Sequence, residues 1–151
     1  MIMEEPDILI PRRTEGRLER MIQQYIKNGN KGDLDLSDMN LTKFPDVLKY
    51  VKSVGGSFSC NGNELISLEG APISVGGYFD CCDNQLTSLK GAPQSVGGGF
   101  HCRSNQLTSL VGAPKSVGGD FDCGDNPVDN PVEFTREQVR ALCHVKGDIF
   151  R

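Results

Sequence analysis

Between Val54 and Asn126 the chain repeats itself every 21 residues. Val54, Val75, Val96 and Val117 each open a VGG triplet, and Phe58, Phe79, Phe100 and Phe121 follow at the same interval. Cys60, Cys81, Cys102 and Cys123 keep the period, as do Asn63, Asn84, Asn105 and Asn126. Leu65, Leu86 and Leu107 come next, then Leu68, Leu89 and Leu110, then GAP triplets ending at Pro72, Pro93 and Pro114. The unit is VGGxFxCxxNxLxSLxGAPxS. A period of this length leaves few architectures open. Each copy is one coil that cannot bury its apolar face alone, and stacking the coils joins those faces into a continuous core.

The slots of the unit follow from this. FxC alternates inward and outward, so it predicts a short strand stacked parallel to its copies about 4.8 Å apart, with Phe and Cys in the core. Asn turns the chain off the strand, and its amide can bond backbone groups that the bend leaves unpaired. The leucines fill the interior and GAPxS returns along the other face. Gly-Gly before the strand allows a bend that a side chain would obstruct. A divergent copy precedes the regular ones at Leu34, Leu36, Leu41 and Phe44. The last copy keeps Cys123 and Asn126 but has Val128 and Pro131 where leucines are expected. Degenerate outer copies are usual in solenoids.

Helices are predicted at both ends. Residues 14–28 place Leu18, Met21, Ile22, Tyr25 and Ile26 on one helical face, with Gly29 available as the stop. Thr135 and Gln138 form a capping box, with Phe134 and Val139 as a hydrophobic staple. Val139, Leu142 and Cys143 would then cover the open end of the core. This divides the chain into an N-terminal segment and capping helix (1–32), a solenoid (33–132) and a C-terminal capping helix (133–151).

The core FxCxxNxLxSL is similar to the LxLxxNxLxxL signature of leucine-rich repeats, with Phe and Cys in the first two apolar slots. The fold class expected is therefore an α/β repeat solenoid, a short leucine-rich-repeat stack of about five parallel strands between two capping helices. NQLTSLKGAP and NQLTSLVGAP resemble the short repeats of secreted bacterial effectors. A closer resemblance is to small repeat proteins of tailed phages and giant viruses, which share the SVGGxFxCxxNQLTSLxGAP unit, an LxLSxxNLTKxP segment before it and a helix like TREQVRALCHVKG after it. It covers residues 17 to 151 and implies a viral origin more than an activity. Some effectors of this kind are ubiquitin ligases through a separate catalytic domain. About 19 residues follow the repeats here, so that activity is not carried over.

Composition narrows the function classes. A net charge of -4 argues against a nucleic-acid partner, which needs a basic face to displace phosphate counterions. No apolar run is long enough to span a membrane. The N-terminal MIMEEPDILIPRR lacks the basic start and apolar stretch of a signal peptide. The six cysteines are accordingly expected to be free thiols in a reducing, cytoplasmic compartment, that of an infected cell if the protein is viral.

Chemistry-bearing residues are few. The cysteine column could be a metal or redox ladder, but a row of thiols does not converge tetrahedrally, and small buried fillers between the phenylalanines are the better reading. Cys82 departs from the repeat and faces outward, which makes it the candidate reactive thiol. His101 lies at an outward strand position with no nucleophile at a matching spacing, and His144 belongs to the C-terminal cap. GxxxxGK[ST] is absent, and the aspartates lack the spacing of a calcium loop. No cofactor, metal site or catalytic residue is expected.

The outward strand positions vary where the inward ones do not. One column reads Asp33, Ser57, Tyr78, Gly99, Asp120, and the next Asp35, Ser59, Asp80, His101, Asp122. Beyond them come Ser37, Asn61, Cys82, Arg103, Gly124, then Asp38, Gly62, Asp83, Ser104, Asp125. Residues 55–132 hold eight acidic and three basic residues, and this field favours a basic protein surface. The function expected is a non-enzymatic protein-interaction module, phage-encoded, that binds a host or viral protein through an acidic concave face, with inhibition of a host factor or defence system as one outcome. Tyr78, Asp80, Asp83, His101, Arg103, Asp120, Asp122 and Asp125 are the candidate partner-binding residues. A structural protein that self-associates through its repeat ends is the alternative, and the oligomeric state is left open.

Overall fold

Each FxC segment forms a strand only two residues long, with its first residue buried and its second on the surface. In the computed structural model, which describes residues 16–126 and 134–151, these strands stack in parallel as Leu34–Asp35, Phe58–Ser59, Phe79–Asp80, Phe100–His101, Phe121–Asp122 and Ile149–Phe150. The register pairs each Phe with the next Phe. The chain is a parallel-strand β-solenoid with a helix at each end, as the period requires.

Two features go beyond the expected single stack of about five strands. The Ser-Val that precedes each Gly-Gly is itself a strand, so a second parallel sheet forms from Ser53–Val54, Ser74–Val75, Ser95–Val96, Ser116–Val117 and His144–Val145. The final strands of both sheets come from HVKGDIF, within the region assigned to a C-terminal cap. Val145 and Ile149 pair with Val117 and Phe121, and both are buried. The helix Arg136–Leu142 therefore interrupts the last coil and does not end the fold.

The core is layered by residue type. Phe58, Phe79, Phe100 and Phe121 stack with ring centroids 5.3, 5.4 and 5.2 Å apart, and Phe44 meets Phe58 edge-on. The buried cysteines and leucines lie behind them, and valines seal the second sheet. Between the sheets, Gly-Gly brings coils into backbone contact. A Cβ on Gly98 would lie 2.9 Å from the carbonyl carbon of Gly77 and 3.0 Å from the amide nitrogen of Tyr78. Close approach, more than a bend, is what excludes side chains there. At each GAP the amide of Ala71, Ala92 or Ala113 bonds the carbonyl of Leu68, Leu89 or Leu110 at 3.0 Å. The intervening Gly70, Gly91 and Gly112 have φ near +90°, as in the third position of a type II turn.

Both helices carry the end signals read from the sequence. Arg17–Lys27 buries Ile22 and Tyr25, with Leu18, Met21 and Ile26 partly covered. It ends in a Schellman motif: Gly29, at φ 76°, donates to the Ile26 carbonyl and Asn30 to that of Tyr25. Thr135 and Gln138 form the reciprocal capping box, and Val139 and Cys143 are buried. Leu142 does not join them. It is 51% exposed, because it falls on the solvent side of a helix of less than two turns. Thr14, Val128 and Pro131 lie outside the described residues. Among those described, no helix is long and apolar enough to cross a membrane.

Candidate functional site

The outward face of the six-stranded sheet holds every candidate residue, but most of its acids have local work. Asp80 accepts from the Cys82 amide at 2.9 Å and Asp122 from the Gly124 amide at 3.0 Å, as Asp35 does from Ser37. These Asx turns steer the chain off the strand. Asp33 and Asp120 accept instead from the next coil, taking the amides of Ser57 and Asp148 at 2.7 and 2.8 Å. Asp38, Asp83, Ser104 and Asp125 all have φ between 50 and 53°, with Gly62 completing the column at 66°. Asp is among the few side chains that tolerate this left-handed conformation. Asp83 and Asp125 are therefore explained by the turn they occupy, without reference to a partner.

What the scaffold leaves unexplained is a small cluster at the middle of the face. Tyr78 is 45% exposed, and its ring stacks on His101 with centroids 6.1 Å apart and planes 22° apart. Gly99 makes this possible. A Cβ at Gly99 would lie 2.7 Å from His101 Nε2, so the imidazole rests in the space that the missing side chain vacates. Three departures from the repeat, at Tyr78, Gly99 and His101, are thus one structural feature. Beside it Arg103 pairs with Asp122 at 3.5 Å and donates to Asp125. Asp80 accepts a second bond, from Asn61 Nδ2 at 3.0 Å. Phe150, 49% exposed, shares the face because its strand pairs with Phe121–Asp122. Sequence reasoning passed over Gly99 and Phe150. Aligning HVKGDIF with SVGGDFD would have revealed Phe150 as an outward position.

The cysteines do not form a reactive site. Cys60, Cys81, Cys102, Cys123 and Cys143 are buried, and all six are free thiols. Burial pushes Cys60, Cys81 and Cys102 well above the ordinary 9.0, and Cys123 and Cys143 up to about 11. Cys82 is half-buried. Its burial, and then its hydrogen bond to Asp80, push it up to about 12, which removes the thiolate that a reactive cysteine requires. Among the described residues no three metal-ligating side chains converge.

These shifts have a testable sign. Below pH 9 the thiols are protonated in both states; above it only the unfolded chain releases protons, so stability falls as pH rises from 9 towards 12. The urea midpoint should decline over that range, and less steeply in Cys82→Ala and Cys143→Ala variants. An unchanged slope in both variants would assign the decline to other groups.

Comparison with protein-family models, with curated proteins and with solved structures finds no match to this chain.

Proposed function

We propose that the chain is a non-enzymatic protein-interaction module whose contact surface is the Tyr78–His101–Arg103 cluster on the outward face of the six-stranded sheet. One observation carries this reading. Gly99 is the single member of its column without a side chain among Asp33, Ser57, Tyr78 and Asp120, and its absence lets two rings stack in the open. Folding gains little from a half-exposed aromatic pair, whereas rigid aromatic side chains and arginine are the groups that dominate protein interfaces. The surrounding carboxylates keep the patch acidic, which favours a basic partner surface. We take that partner to be a host or viral protein, a reading motivated by the resemblance of the repeat to those of phage and giant-virus proteins, with inhibition of a host factor as one outcome.

Affinity capture tests this. Immobilised protein carrying both Tyr78→Ala and His101→Ala should bind the partner of the unmodified chain about thirtyfold more weakly, a loss of about 2 kcal/mol. Its unfolding midpoint should change little, since neither side chain is in the core. A Ser95→Arg change on the opposite sheet should leave capture intact. Equal capture by the double variant and the unmodified chain would eliminate this surface.

A further inference from the structure

Tyr78 stays 45% exposed beside its contact with His101, and the surroundings of the ring's other side specify a chemistry. His101 covers the side of Tyr78 towards the following coil. On the other side the preceding strand offers only Ser57 and Ser59 outward, and the strand before that offers Asp33 and Asp35. The result is a slot two strand spacings wide, about 9.6 Å between backbone centres. Its floor is serine, one wall is the Tyr78 ring, and the other is a pair of exposed carboxylates. Asp33 and Asp35 are exposed, and each uses Oδ1 locally, on the amides of Ser57 and Ser37, so neither of these bonds occupies Oδ2. Asp80 closes the end of the slot beside Tyr78.

We infer that this slot receives an arginine side chain of the partner protein. The inference rests on the interaction surface proposed above and names what that surface recognises. A guanidinium is flat enough to lie against an aromatic ring, where the ring quadrupole attracts its charge. Its in-plane N–H groups would then reach the two carboxylates opposite. An ammonium group satisfies the charge but cannot stack, so lysine should bind more weakly. An anionic or purely apolar side chain would meet three carboxylates with no compensating donor.

The probe is a blocked pentapeptide with a single central arginine, titrated into the full chain and followed by amide NMR shifts. Shifts should concentrate at Ser57, Ser59, Tyr78 and Asp80. The isosteric citrulline peptide, which keeps the shape and loses the charge, should bind at least about tenfold more weakly, and the lysine peptide should fall between. Asp33→Asn and Asp35→Asn retain a side-chain oxygen for the local amide, so both variants should fold and bind the arginine peptide several-fold more weakly. Tyr78→Leu, which keeps apolar bulk without the ring, should do the same. Equal binding of arginine and citrulline, or shifts centred elsewhere, would overturn the slot. If the titration fails while capture still depends on Tyr78 and His101, the slot is wrong and the surface stands. If the titration succeeds while capture ignores both residues, the surface is wrong and the slot stands.

Discussion

Replacing Asn105 with alanine should destabilise the protein by about 3–4 kcal/mol, more than truncating any polar side chain on its surface. The residue is 2% exposed, and its amide ties two coils together. Oδ1 accepts the Leu86 amide of the preceding coil at 3.1 Å. Nδ2 donates to Cys81 of that coil at 3.0 Å and to Cys102 and Arg103 of its own at 3.2 and 3.1 Å. The losses are unequal. The Cys81 and Cys102 carbonyls keep a second donor each, from Asn84 and Asn126. The Leu86 amide has no other acceptor among the described residues, so it is left buried and unpaired, at a cost of about 1–3 kcal/mol. Lost hydrogen bonds and the vacated volume supply the rest. Asn105→Asp separates these causes. It retains an acceptor for Leu86 but turns a carboxylate oxygen towards the three carbonyls of Cys81, Cys102 and Arg103. Burial and that repulsion raise the introduced carboxyl's pKa, so its destabilisation should be largest at neutral pH and shrink as pH falls towards about 4. Urea unfolding at the two pH values measures it. An Asn105→Ala loss below about 1 kcal/mol would mean that the asparagine column is not a structural tie.

That column shows why so much of the fold could be read in advance. The interior of a solenoid is under the same constraint in every coil, so Phe, Cys, Asn and Leu recur, and the recurrence exposes both the period and the inward direction. The outward face has no such redundancy. Asp80 and Asp122 look like a tuned acidic surface in sequence, yet each accepts an amide two residues on. Asp83 and Asp125 satisfy a backbone conformation that no apolar periodicity reveals. The second sheet was hidden for a related reason, since a two-residue Ser-Val strand is too short to show alternation. HVKGDIF escaped notice because it follows Val117 by 28 residues instead of 21, displaced by the helix inserted into that coil. The stacking of Tyr78 on His101 depends on an absence at Gly99, which reads in sequence as one more glycine among 18.

The glycines of the GAP turns are expected to differ sharply in tolerance, although their sequences and dihedral angles match. Gly70→Ala should cost about 1 kcal/mol and Gly91→Ala about 4 kcal/mol or more. Both residues hold φ near +90°, at 91 and 90°, so alanine meets the same left-handed strain at each. Their surroundings differ. A Cβ on Gly70 would find only the Phe44 side chain, at an ordinary 3.8 Å, because the preceding coil is the divergent one. A Cβ on Gly91 would lie 2.5 Å from the Glu69 nitrogen, 2.5 Å from the Leu68 carbonyl carbon and 2.6 Å from its oxygen. None of these atoms can rotate away. Relief requires the coils to separate by most of an ångström, and the 2.8 Å bonds of Gly76 to Val54 and Gly77 to Gly56 hold the same coils together. The strain would therefore spread along the stack, with loss of cooperativity as well as stability. Denaturant unfolding of the two variants compares them directly. If Gly70→Ala and Gly91→Ala are equally destabilised, dihedral strain alone explains the glycine and the coils are not in contact at the turn. If Gly91→Ala is several kcal/mol worse, the 21-residue period is set as much by how closely bare backbone can pack as by the apolar side chains that announce it.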